Sequence, residues 1–195
     1  VKFATDVTEQ KRKNADYEGQ INAIDKSLAV IEFDLEGVIQ NANANFCATT
    51  GYELNEIKGQ HHSMFVEPNY KMSPEYAAFW RDLKKGEFKS GEFKRVRKDG
   101  SELWIQASYN PIFDEFGQPT KVVKYASDVT EQKLKNAFNT GQIDAISKSQ
   151  AVIEFDTKGN ILVANDNFLA TVGYSLDEIE GKHHRIFVTK QERES

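Results

Sequence analysis

Cysteine is almost absent from this chain: Cys47 stands alone among 195 residues. One thiol cannot close a disulfide within the chain. That excludes a cross-linked secreted scaffold and favours a reducing compartment, with the cytoplasm as the expected location. Long apolar runs are missing too. No stretch approaches the roughly 18 apolar residues of a membrane span, and no signal peptide is present, so no membrane contact is expected within this segment. Basic blocks are equally scarce. The formal net charge is −5, and the nearest thing to a patch, Arg95, Arg97 and Lys98, reads as a solvated strand and turn. Nucleic acid is therefore not an expected partner. Also lacking are a nucleophile–base pair, a metal-ligand spacing and a glycine-rich phosphate loop. His61-His62 has no third ligand for zinc, and Glu53 and Glu56 read as a solvated helix face. No enzyme and no metal site are expected.

What the chain does have is a repeat. Residues 1–66 laid over residues 123–188 need no gap, and 43 of the 66 positions are identical. The match ends after Val66 and Val188. An offset of 122 residues is too long for a solenoid unit and suits a whole small domain plus a linker. The first residue is Val rather than Met, so the sequence reads as an excerpt from an array. The string V-K-Y-A-S-D-V-T-E-Q-K at Val123–Lys133 organises that array, and it recurs as V-K-F-A-T-D-V-T-E-Q-K at Val1–Lys11. Each copy passes from β-favouring residues into good helix formers. Asp128 and Thr130, like Asp6 and Thr8, stand at the changeover as N-cap residues. The expected segments are residues 1–8, the last strand and D-V-T end of a preceding domain; 9–27, a linker helix; 28–130, a complete domain; 131–149, a second linker helix; and 150–195, the first half of a further domain.

The two linkers place Tyr17, Ile21, Ile24 and Leu28, and then Ile143 and Ile146, at a/d heptad spacing, with a polar middle seam. Two readings stand: a parallel seam between two copies of the chain, or a short amphipathic helix lying on its own domain and weakened by Gly19 and Gly141. In the central segment, Leu28–Asp34 and Val38–Ala42 form a hairpin around Leu35-Glu36-Gly37. Asn43 begins a helix that Gly51 closes, and Glu53–Lys58 adds a further turn. A short irregular stretch with His61, His62, Met64 and Phe65 ends at Pro68. Ser73-Pro74 opens a helix carrying Tyr76, Phe79, Trp80 and Leu83 on one face. Three strands follow, Glu92–Lys98, Leu103–Phe113 and Lys121–Ser127, the first two joined at Asp99-Gly100. The expected fold is α+β: a five-stranded antiparallel sheet with short helices on one face, flanked by helical linkers.

The hairpin, Asn43, Phe46, Gly51-Tyr52, the E-x-x-G of Glu56–Gly59, the K-D-G of Lys98–Gly100, Trp104, Pro111 and the closing D-V-T resemble a PAS domain with its C-terminal PAC motif. The resemblance covers Leu28–Thr130, the first half of a second PAS domain (Gln150–Val188) and the last strand of an earlier one. The G-x-H-H-x-x-F string, at Gly59–Phe65 and Gly181–Phe187, is most similar to PAS domains ahead of bacterial methyl-accepting chemotaxis receptors of the aerotaxis type. The resemblance implies a sensory module that responds to small molecules, light, oxygen or redox state, often dimerises, and passes the result through the D-x-T junction into a helix.

Candidate site residues follow from alternation and from the helix face. His61 and His62 point in different directions, so at most one faces the interior. That one is a haem ligand, a pH-sensitive partner for a small ligand, or a satisfied structural residue. Phe65, Trp80, Phe93, Arg95, Ile105 and Tyr109 aim between sheet and helices. They form a flavin- or ligand-binding pocket, or a filled core. Trp104 faces the other way and needs covering by a linker helix or a partner protomer. Asp128 and Thr130 cap the exit helix and set its angle. Cys47 reads as buried and unreactive. The expected function is a sensory and relay segment of a chemotaxis-type transducer with a downstream signalling domain, a homodimer through its linker helices and sheet face. No cofactor is fixed by these residues. The alternatives are a haem- or flavin-binding oxygen or redox sensor feeding a histidine kinase or a cyclic-di-nucleotide enzyme, and a purely structural dimerisation spacer. The half-domain at Gln150–Ser195 is expected to be poorly ordered alone or to dock on the Val1–Asp6 strand, because its hairpin edge is unpaired.

Overall fold

The computed structural model of the chain describes residues 6–188, which divide into two compact units, residues 1–133 and 134–195. The strand expected over Val1–Asp6, and with it any docking of the second unit there, falls on residues 1–5, outside the described residues.

In the first unit, helix α1 (Thr8–Ser27) leads into strands β1 (Ala29–Phe33) and β2 (Ile39–Ala42). Then come short helices α2 (Ala44–Thr50) and α3 (Leu54–Ile57), a 3₁₀ turn at His62–Phe65, α4 (Pro68–Lys71) and α5 (Pro74–Lys84). Strands β3 (Lys89–Val96), β4 (Glu102–Phe113) and β5 (Pro119–Asp128) complete it, and α6 (Thr130–Ser149) begins after a single intervening residue. The sheet is antiparallel in the order β2-β1-β5-β4-β3. Its centre is therefore made by the first and last strands, and the fold closes only when the chain end returns to β1. This is the expected α+β layout. Pro68 does not end a segment as expected; it opens α4, the place where a missing N–H costs least. Strand β3 begins at Lys89 rather than Glu92, because its pairing with β4 extends to Lys89 opposite Tyr109.

The local rules hold where chemistry is explicit. Asn43 accepts from the Phe46 N–H at 2.8 Å and Ser73 from the Tyr76 N–H at 3.2 Å, each capping its helix. Gly51 closes α2 in the left-handed conformation. Between the inner sheet face and the helices lies one core, which includes Ile31, Phe33, Phe46, Ile57, Phe65, Leu83, Leu103, Ile105 and Val122. Helices α1 and α6 bury no residue. Their a/d residues Tyr17, Ile21, Ile143 and Ile146 are exposed, although Ile21 and Ile24 line a groove of about 310 Å³ with Val30, Val123 and Tyr125 of the outer sheet face.

The second unit repeats the opening of the first. Strands β6 (Ile153–Phe155) and β7 (Ile161–Ala164) form a hairpin, followed by α7 (Asp166–Val172), α8 (Leu176–Ile179) and a 3₁₀ turn at His184–Phe187. Ile161, Ala164 and Ile179 are its buried centre.

Candidate functional site

The interior of the first unit is polar along one line. His62 is fully enclosed, at 0 % exposure. Its Nδ1 lies 2.8 Å from the Tyr76 hydroxyl and its Nε2 lies 3.0 Å from the Tyr109 hydroxyl. Arg95 Nη2 donates to that same Tyr109 oxygen at 3.0 Å. Tyr109 accepts from Arg95, and each ring nitrogen of His62 is paired with a tyrosine hydroxyl. Burial holds His62 well below its ordinary pKa, and the charges of Arg95, Lys124 and His61 push the same way. Burial also raises the Tyr109 and Tyr76 hydroxyls. The network sits in an aromatic cage: Phe33, Phe65, Phe79 and Trp80 all pack within 6.4 Å of the His62 ring centre.

His61 faces out of the cage. Its Nδ1 accepts from the Ser63 N–H at 3.0 Å, and its Nε2 lies 2.9 Å from the Glu36 carbonyl, so its proton is on Nε2. The residue caps the 3₁₀ turn and closes on Gly37, whose φ of 84° and close neighbours exclude a side chain. A Cβ there would meet His61 Nε2 at 2.8 Å and the Trp80 ring at 2.9 Å.

Of the residues singled out from sequence, His62, Phe65, Trp80, Phe93, Arg95, Ile105 and Tyr109 all come together in this interior. Only one of the two histidines enters, as alternation requires. Of the alternatives left open, a haem or flavin pocket is not what these residues build. An iron ligand needs an open nitrogen, and both of His62's are engaged. The enclosed cavity is about 10 Å³, room for roughly one water molecule. The residues as arranged do not fit either group. Cys47 is half-buried rather than buried; burial and Glu53 raise its thiol, which keeps it unreactive.

Two members of the site escaped sequence reasoning. Tyr76 reads as one more apolar residue of a helix face, and only its hydroxyl contact reveals its role. Lys124 reads as part of a β-favouring run, yet it alternates with the buried Val122 and Ala126 and is only 2 % exposed. That alternation, with the same lysine repeated at Lys2, is the signal that was available. Lys124 stands opposite Tyr109 in the β4–β5 ladder, with its ammonium 5.1 Å from that ring and 5.6 Å from Phe46.

The exit junction is equally specific. Val129 N–H donates to the Trp104 carbonyl at 2.8 Å, and the Trp104 N–H donates to the Thr130 hydroxyl at 2.9 Å. Thr130 was expected to cap its helix; instead its hydroxyl pins the helix to β4. The capping falls to Asp128, whose carboxylate accepts from the Thr130 N–H at 2.8 Å and from Arg97 at 2.6 Å. Burial opposes ionisation of Asp128, but these hydrogen bonds outweigh it and hold the carboxyl below its usual range. Trp104, on the outer face, is covered by Lys133 of α6, whose ammonium lies 5.2 Å from the ring. At the other end, Asn43 and Asn45 donate to the carbonyl oxygens of Asp25 and Leu28, where α1 terminates.

A five-stranded antiparallel sheet in this order, covered by short helices and left through a D-V-T junction, defines a PAS sensory domain. The family described as PAS fold matches residues 39–126, and that described as PAS domain matches residues 149–195. The chain belongs to the PAS family, as two such domains in tandem. It is 45% identical over 165 residues to the Biofilm dispersion protein BdlA of Pseudomonas aeruginosa, covering 85% of this chain and 40% of that protein. It is 39% identical over 101 residues to the Aerotaxis receptor of Escherichia coli, covering 52% of this chain and 20% of the receptor. A PAS domain from Colwellia psychrerythraea superposes with a TM-score of 0.52 at 24% identity, over 59% of this chain and 98% of that one. The chain thus spans less than half the length of these curated relatives, and its PAS domains are similar to those of aerotaxis-type chemotaxis receptors.

Proposed function

We propose that this segment is a cytoplasmic, non-enzymatic sensor and relay of a bacterial chemotaxis-type transducer. The state of the central interior shifts the sheet, and the shift leaves through Asp128–Thr130 into α6, biasing a two-state homodimer that drives a downstream signalling domain. The observation that carries this reading is the pair of hydrogen bonds by which Trp104 holds Val129 and Thr130. Strand β4 carries Tyr109 inward and Trp104 outward, so one strand touches both the interior network and the first turn of the helix. A displacement of β4 cannot occur without displacing that turn or breaking those bonds. The exposed a/d residues of α1 and α6, and the groove beneath Ile21 and Ile24, offer the apolar surface for the second copy. A pure spacer would have no use for a buried His–Tyr–Arg chain, which costs stability compared with an apolar core.

The experiment is Thr130→Val in the whole transducer. The expected result is an output that no longer follows the stimulus while the interior still binds or responds. An unchanged stimulus response in that variant would falsify the relay.

A further inference from the structure

The central interior holds the side chains of two basic residues and no carboxylate. Arg95 is 3 % exposed and Lys124 is 2 % exposed, and among the described residues neither forms an ion pair. Taking a charged group out of water costs several kcal/mol unless a counter-charge or a full set of hydrogen bonds replaces the lost solvent. Arg95 is incompletely served. One terminal nitrogen donates to the Lys94 carbonyl at 2.7 Å and the other to Tyr109, but Nε is buried with no partner. Lys124 meets the faces of Phe46 and Tyr109. Both residues line the same enclosed cavity, together with Phe46, Thr50, Phe65 and Leu103.

Simple packing does not account for this arrangement. A core needing only volume would place Met or Leu at both positions, and would not leave a buried guanidinium N–H without a partner. We propose that the Arg95–Lys124 cavity is a binding site for a compact singly charged anion, with the carboxylate group of a small organic acid as its ligand. Arg95 Nε and the Lys124 ammonium supply the donors. The aromatic walls exclude water, which strengthens both contacts. The cavity of about 10 Å³ has room for about one water-sized group, so a carboxylate, formate included, enters only if Phe46 or Phe65 turns aside. Burial, and then the charge of Arg95, hold Lys124 well below its ordinary pKa; an anion beside it restores the charged form. Because Tyr109 faces Lys124 across the ladder and also holds both Arg95 and His62, occupancy acts directly on the network that β4 joins to the exit junction. The site names the ligand class for the sensory reading above and takes its biological meaning from it, but its test does not depend on the relay.

That test follows the side-chain Nε–Hε resonance of Arg95 in the full 195-residue chain, titrated with sodium formate and with sodium acetate at constant ionic strength. Sodium chloride serves as the second anion source. Binding predicts a saturating shift of that resonance and a saturating rise in Tm with formate or acetate. The same response to chloride also supports the site and widens it to compact monoanions in general. Lys124→Met, which keeps the volume and removes the charge, is expected to weaken the apparent affinity at least tenfold and to raise Tm without anion. A shift that follows total ionic strength without saturating, or one unchanged in Lys124→Met, overturns the proposal. A saturating shift with no effect on output would leave the site standing and remove the relay.

Discussion

The two units carry the same G-x-H-H-x-x-F string, one with a helix and three long strands following it and one with the hairpin and short helices that precede it. In both, the string docks on the preceding hairpin through the same backbone contacts. His62 N–H donates to the Gly37 carbonyl at 2.8 Å, and His184 N–H donates to the Gly159 carbonyl at 2.8 Å. Val38 bridges His61 as Asn160 bridges His183. The rings then part company. His62 is enclosed between Tyr76 and Tyr109, whereas His184 is exposed, stacked on His183 with ring centres 4.5 Å apart. The hairpin docking is encoded within the 66 repeated residues. The environment of the histidine is encoded after them, in α5 and the three long strands. A shared motif therefore fixes the backbone of the turn, and in the first unit the enclosure of the histidine ring is completed by Tyr76 and Tyr109, which follow the 66 repeated residues.

The largest expected effect separates the two histidines. His62→Ala removes a ring from a full aromatic cage and leaves two tyrosine hydroxyls without it, which should cost about 3–5 kcal/mol, as for a buried aromatic truncation. His184→Ala should stay within about 0.5 kcal/mol. Both tryptophans, Trp80 and Trp104, lie in the first unit, so their fluorescence during urea unfolding reports that unit alone. Measuring the second unit requires circular dichroism on the same samples. Comparable losses from the two substitutions would break the comparison.

Next comes Tyr109→Phe. It leaves Arg95 Nη2 and His62 Nε2 without a partner while keeping the packing, and should cost about 1–3 kcal/mol. The effect should be strongly non-additive with His62→Ala, because the two substitutions remove parts of one network.

The pH dependence sharpens the contrast further. His62 is held below its unfolded value of 6.5, so the unfolded chain binds the proton more readily. Stability from this group is complete above about 6.5 and is lost as pH falls through the lower folded value. The tryptophan-detected midpoint should drop between neutral pH and pH 5. His62→Gln should flatten that drop, and His184→Gln should leave it unchanged.

The smallest effect concerns the two D-V-T strings. Thr130→Val strands the Trp104 N–H and should cost about 1 kcal/mol, while Thr8→Val should fall below that. The two threonines share the cap from the preceding aspartate, at 2.8 Å in each case. Among the described residues, Thr130 adds a tie to a neighbouring strand. Equal costs would show that the hydroxyl does no more than serve its own helix.

Much of this was legible in the sequence wherever a side chain signals its own local geometry. Asn43, Gly51 and Ser73-Pro74 announced their helix ends, and alternation in β4 placed Ile105 and Tyr109 inward and Trp104 outward. The misses share a cause, which is that the deciding partner lies far along the chain. Lys124 is one more residue of a β-favouring run until its register with Tyr109 is known. Thr130 looks like a cap until Trp104, 26 residues away, claims its hydroxyl. Helix α4 has too few residues for any periodicity to appear.

The central claim is that the interior reaches the outgoing helix through a continuous, hydrogen-bonded backbone. Amide exchange at Val129 and Lys133, read by NMR beside Ala107 in the middle of β4, tests this directly, because their N–H groups donate to Trp104 and Val129 across the changeover. Protection at both sites close to that of Ala107, and lost at Val129 in Thr130→Val, is the predicted result. Exchange at the free-chain rate from Asp128 to Lys133, with Ala107 still protected, would contradict it.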